Sequence, residues 1–182
     1  MERRIFLMVA AGAALAPGLA MAGEATQQEV SLSAEVAAPP DEVWQTIGDF
    51  QDMSWHPVVH STTGANGSDI GATRVLTLAA QDGPTIAEVL DAYDAGKMSY
   101  SYRITDVAME VLPVTEYVSQ LGVQARVGGG SLIEWRGAFR RADASNDPPA
   151  GLDDAAAIAA ITGVYQAGLD ALVEKFGVPP GN

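Results

Sequence analysis

The chain of 182 residues carries 10 Lys+Arg against 23 Asp+Glu, a formal net charge of −13. That balance repels phosphate backbones and anionic membrane surfaces, so nucleic acid is excluded as a partner. Absence of cysteine removes disulfides, thiol nucleophiles and thiolate metal sites. A content of 48% hydrophobic and 18% charged residues describes a globular chain of one domain.

Residues 1–22 read as a secretory signal peptide, with Arg3-Arg4 as basic start, Ile5 to Ala16 as apolar run and Ala20-Met21-Ala22 as small-x-small cleavage site. The run before Pro17 is too short for the roughly 20 residues of a spanning helix. Arg3-Arg4-Ile5-Phe6-Leu7 also matches the twin-arginine export pattern, although a Sec signal can carry two arginines by chance. Cleavage after Ala22 leaves residues 23–182 as a single domain with 8 basic and 22 acidic side chains, a charge of −14. The expected location is a bacterial periplasm, with no membrane span after cleavage.

Residues 28–36 alternate, with Val30, Leu32, Ala34 and Val36 on one face, as in a strand buried on one side. Pro39-Pro40 ends it, and Asp41-Glu42 open a short helix that Gly48 stops. An irregular stretch from Phe50 to His60 and a Gly-rich turn at 64–71 follow. Three more period-2 runs come next. Arg74, Leu76 and Leu78 share a face in the first, and Ile86, Glu88, Leu90 and Ala92 in the second. Met98, Tyr100, Tyr102 and Ile104 share one in the third. Thr105 to Pro113 reads as a loop. In 115–127 the odd positions carry the apolar weight, and Gly128-Gly129-Gly130 permits a tight hairpin into a strand over 131–140. After a polar linker, Leu152 to Phe176 is one long helix with Ile158, Ile161, Tyr165, Leu169, Leu172 and Phe176 in an apolar stripe. A run of antiparallel strands followed by one amphipathic helix defines an α+β domain, because the sheet can bury its inner face only against that helix.

The chemically informative residues are polar ones on faces the pattern buries. Arg74 and Glu88 sit on strands joined by a short turn, so both project into one interior. An ionised carboxylate there must be paired, neutralised or hydrated. Either they anchor a ligand in a cavity, or they form a buried ion pair that only holds the sheet together. Tyr100, Tyr102 and Tyr117 on inner faces favour the cavity, while ordinary packing accounts for any one of them alone. His56 and His60 are four apart, but Pro57 interrupts any helix between them and no third ligand is evident. His56 then reads as a donor at the cavity edge or as a packed side chain. No nucleophile elbow, phosphate loop or dinucleotide fingerprint occurs, so no catalytic, metal or cofactor site is expected.

Several landmarks together resemble the START-like, helix-grip superfamily, in its polyketide cyclase/dehydrase and lipid-transport branch. They are Ala38-Pro39-Pro40-Asp41-Glu42-Val43-Trp44, Asp49-Phe50 with Trp55-His56-Pro57, Gly71-Ala72-Thr73-Arg74, Glu88-Val89-Leu90-Asp91, Tyr100-Ser101-Tyr102 and Glu134-Trp135. With its export signal the chain most resembles the small periplasmic members encoded in methanol-oxidation gene clusters. The resemblance implies a curved seven-stranded antiparallel sheet gripping the C-terminal helix around a cavity, with two short helices after the first strand and a short extra strand at 61–65. It places His56, Glu88, Tyr102, Tyr117 and Glu134 near pocket-lining positions, and together with Arg74, Tyr100, Trp55 and Tyr165 these are the expected ligand contacts. Loops 79–85 and 106–115 fall where plant hormone receptors of the branch have mobile gates. For Glu134 the two readings conflict: alternation in 131–140 turns it outward, the resemblance inward, and a bulge near Gly137 would reconcile them.

The expected function is binding of a small apolar or amphipathic molecule in the periplasm, without catalysis, in support of alcohol (methanol) oxidation. A periplasmic dehydrogenase or cytochrome is the implied protein partner. The alternative is an enzyme of cyclase or dehydratase type, with Glu88 or His56 as general base.

Overall fold

A computed structural model describes residues 25–179, together with the backbone of Leu7–Met8. The remainder of the expected signal peptide, its cleavage site included, lies outside the described residues. Seven strands form one antiparallel sheet: β1 (Gln28–Val36), β2 (Val59–Ala65), β3 (Thr73–Leu78), β4 (Thr85–Asp94), β5 (Ser99–Val107), β6 (Val114–Ala125) and β7 (Ser131–Arg141). Their spatial order is β1-β7-β6-β5-β4-β3-β2, so only β1 and β7 are neighbours that are distant in sequence. Leu7–Met8 pairs outside β1, opposite Leu32 and Ser31. Helix α1 (Pro40–Ile47) follows β1, and the 23-residue helix α2 (Asp154–Phe176) closes the domain, packing chiefly on β1. This is an α+β helix-grip fold.

The elements form where the local chemistry directs them. α1 starts with proline in its first turn, where no N–H partner is needed, and carries Asp41 and Glu42 at its positive end. α2 is capped by the Asp153 carboxylate, which accepts from Ala156 N–H at 2.7 Å. Glycines 128–130 all have positive φ, as the β6–β7 hairpin requires. By length and composition α2 could cross a bilayer, but its large apolar side chains Ile161, Tyr165, Leu169 and Leu172 are buried.

Two expectations need correction. A single short helix follows β1, and the second is replaced by consecutive turns through residues 49–58. The carboxylates of Asp49 and Asp52 accept from Gln51 N–H (2.9 Å) and Ser54 N–H (2.8 Å), giving the backbone a local alternative to helical bonding. β5 also runs on to Val107, because Asp106 and Val107 pair with Ala87 and Ile86, leaving 108–113 as the β5–β6 loop. That loop, the β3–β4 loop and the start of α2 share one end of the sheet; the Arg141–Asp154 ion pair (3.0 Å) ties α2 there.

Candidate functional site

Cross-strand register places Arg74 of β3 directly opposite Glu88 of β4, and both are buried. Arg74 Nε meets Glu88 Oε2 at 2.5 Å, and its Nη1 donates to the Phe50 carbonyl at 2.7 Å. The guanidinium lies 4.2 Å from the Phe50 ring centroid and 4.9 Å from that of Tyr102, which offsets part of its lost hydration. Burial opposes the charge on Arg74, yet Glu88, Tyr100 and Tyr102 more than restore it, and its pKa is raised. Burial also pushes the Glu88 carboxyl up while Arg74 pulls it back. The short contact marks the two as an ion pair, and the bond from Arg74 to the Phe50 carbonyl ties the turn after α1 to the sheet.

Beside this pair runs a chain of hydroxyls with a defined direction. Ser119 Oγ donates its one proton to the Arg136 carbonyl (2.9 Å), so it must accept from Tyr165 Oη (3.0 Å) and Trp135 Nε1 (3.1 Å). Tyr165 then accepts from Tyr117 Oη at 2.7 Å. Trp135 Nε1 also reaches Tyr102 Oη at 3.1 Å, and its ring stacks on Tyr165 with centroids 4.5 Å apart. Burial raises the pKa of all three phenols, foremost among the causes, so they stay protonated.

His56 comes from the turns after α1. Its Nε2 faces the Val164 carbonyl of α2 at 3.0 Å, and Nδ1 accepts from Val58 N–H at 3.4 Å. The neutral ring protonated on Nε2 satisfies both contacts. Burial, aided by Arg74 and opposed by the Val164 carbonyl, holds its pKa below the usual imidazole range. His60 is exposed on β2, so the two histidines do not converge. The helix comes close at this point because residue 168 is glycine: a Cβ there would lie 2.7 Å from His56 Cδ2 and 2.8 Å from Trp135 Cζ3.

Of the nine expected site residues, eight thus gather on the inner side of the sheet. Glu134 does not: it is exposed on the outer face and accepts from Gln124 Nε2 at 2.8 Å. Alternation continues undisturbed through Glu134 and Gly137, while the irregularity in the β6–β7 pair falls between Thr115 and Val118. The gathered side chains meet one another. Tyr100 and Tyr102 rings lie 5.9 Å apart, Tyr102 and Tyr117 6.1 Å, and Trp55 and Trp135 5.7 Å. Ser119, Phe50 and Gly168 were not anticipated as parts of this arrangement. Ser119 had a readable signal, a short polar residue on the same face as Tyr117 and Leu121.

Three buried polar atoms have no partner among the described residues: Tyr100 Oη, Trp55 Nε1 and, on β2 opposite Leu76, Thr62 Oγ1. Tyr100 is only 2% exposed and is enclosed by the rings of Trp44, Phe50, Tyr93 and Tyr102. Leaving such a group unpaired costs roughly 1–3 kcal/mol.

Residues 27–177 match the polyketide cyclase / dehydrase and lipid transport family, and the chain belongs to it. Similar solved structures include XoxI of Bacillus cereus, 30% identical with a TM-score of 0.68, covering 81% of this chain and 94% of that one. An uncharacterized protein of Bacillus thuringiensis is also 30% identical, with TM-score 0.67 and coverage of 81% and 98%. A protein of Thermobifida fusca is 26% identical, with TM-score 0.66 and coverage of 85% and 98%. No curated protein matches.

Proposed function

We propose that this is a periplasmic carrier or sensor of a small, partly polar molecule, held between the sheet and α2. The observation that carries this reading is that two aromatic side chains of the interior, Tyr100 and Trp55, hold buried polar atoms, Oη and Nε1, with no partner among the described residues. A molecule offering acceptors to both would recover the free energy they forgo, while the tyrosine and tryptophan rings supply apolar walls. Half-buried Trp55 breaks no hydrogen bond of its indole in moving. Membership of a family described by cyclase, dehydrase and lipid-transport activities supports a ligand-binding fold. General-base catalysis is less well served. Both His56 nitrogens are engaged by backbone, and Glu88 is bound to Arg74.

The test is mass spectrometry of the protein purified from the periplasm of its native host, under native and denaturing conditions. A discrete extra mass, lost on denaturation, is the expected result. A bare chain in both spectra would count against a carrier.

The resemblance to proteins of methanol-oxidation gene clusters extends the reading to a periplasmic dehydrogenase or cytochrome as partner. Charge supports it: the chain without its leader is at −14, and five of the six described arginines are already tied to carboxylates. The uncompensated surface is therefore acidic and suited to a basic partner. Capture of such a partner should weaken steeply as salt rises; capture indifferent to salt would argue for a different contact.

A further inference from the structure

The outer face of the sheet, opposite the interior just described, holds a groove of about 680 Å³. Register explains its shape. One row across the strands is Ser31, Arg136, Gln120 and Ser101; the next is Glu29, Ala138, Val118 and Arg103. The short side chains Ala138 and Val118 form a floor at the centre of the second row, and Val118 is 47% exposed, an apolar side chain left facing water. Longer polar side chains rim that floor. Arg103 is tied to Asp91 at one end, and Glu29 is exposed at the other.

Arg136 distinguishes this groove from the rest of the surface. Among the described residues it is the one arginine without a carboxylate partner, although the chain carries more than two acids for every base. Its Nε (3.0 Å) and Nη2 both rest on the neutral Gln120 Oε1. That clamp fixes the guanidinium plane beside the apolar floor and leaves Nη1 without a hydrogen-bond partner among the described residues. A fixed, uncompensated guanidinium next to an apolar patch and two serine hydroxyls recognises a planar carboxylate on an apolar body. Exposed Glu29 at one end adds negative potential that disfavours polyanions such as phosphate esters, while Asp91 at the other is compensated by Arg103.

We infer that the outer face carries a second small-molecule site, selective for an organic monocarboxylate, with Arg136 binding the carboxylate and Val118 and Ala138 packing against its apolar part. The site is separated from the interior by the sheet itself, so its occupancy does not depend on the ligand proposed above.

Benzoate is a suitable probe, followed by NMR of the full mature protein. Saturable shifts are expected at the Val118 methyls and at the Ser31 and Arg136 amides, with the indole N–H signals of Trp55 and Trp135 unmoved. Benzyl alcohol, uncharged, should give no saturable shift. Arg136→Gln should weaken benzoate binding about tenfold or more, the loss of a charge-assisted hydrogen bond. Ala138→Gln, which fills the floor and retains the arginine, should weaken it as well. Both positions are at least partly exposed, so the variants fold. The inference is overturned if Val118 shows no saturable shift, if benzyl alcohol matches benzoate, if Arg136→Gln binds as the parent does, or if the indole signals move with Val118.

Discussion

At the scale of single residues, the interior is governed by groups that each have one available state. Ser119 has one proton and directs the tyrosine chain; His56 has two backbone partners and is neutral. The histidine gives a pH dependence of known sign. Its pKa in the folded protein is lowered by burial, so the unfolded chain binds the proton more readily. Stability is then full above the ordinary imidazole value of about 6.5 and declines as pH falls below it. Thermal melts from pH 7.5 to about 5 should show this decline, flattened in His56→Gln, whose amide can still donate to the Val164 carbonyl. An identical slope in both proteins would remove the histidine from the explanation. Gly168 belongs to the same scale. Glycine within a helix is unfavourable by about 1 kcal/mol relative to alanine, and here it is kept because His56 and Trp135 occupy the space a methyl would need.

Among the elements, the decisive contact is the β3–β4 pair. Glu88→Leu leaves the Arg74 guanidinium buried without its anion, which costs about 3–5 kcal/mol. Chemical denaturation of Glu88→Leu should show a loss of that order, largely recovered in Arg74→Met/Glu88→Leu, where both charges are gone. A double variant no more stable than the single would mean that the Phe50 carbonyl and the flanking rings, rather than Glu88, hold the arginine. This contact was legible in the sequence because period-2 alternation places any polar residue on a named face, and Arg74 and Glu88 stand out among leucines and isoleucines. The sheet and α2 were legible for the same reason. The stretch after α1 was legible too: the pattern reads 50–60 as irregular, and the second helix that the resemblance implied there is replaced by turns in which Asp49 and Asp52 bind Gln51 and Ser54. The closure of the interior was not, since alternation gives direction but not the distance between Tyr100 and Tyr102, or between Trp55 and Trp135. Glu134 shows the converse: the local pattern was the better guide, and a family landmark carried over by position was not.

For the molecule as a whole, one sheet separates two different chemistries. Its inner face is an aromatic and hydrogen-bonded interior with an internally compensated charge, and its outer face is a ladder of exposed ion pairs interrupted by the Arg136 groove. The inner face is where a ligand of this family's fold is expected, and the orphaned Tyr100 hydroxyl is its most specific mark. Replacing it with phenylalanine removes a hydroxyl that has no hydrogen-bond partner among the described residues but lies close enough to Arg74 to support its charge, so Tyr100→Phe should fold with stability close to that of the parent. The most direct measurement is therefore native mass spectrometry of Tyr100→Phe beside the parent protein, both purified from the same native host. We predict a bound small molecule on the parent and a clear loss of it on the variant, at thermal stability close to the parent's. The same bound mass at equal occupancy on both proteins, or none on the parent, would contradict the interior site.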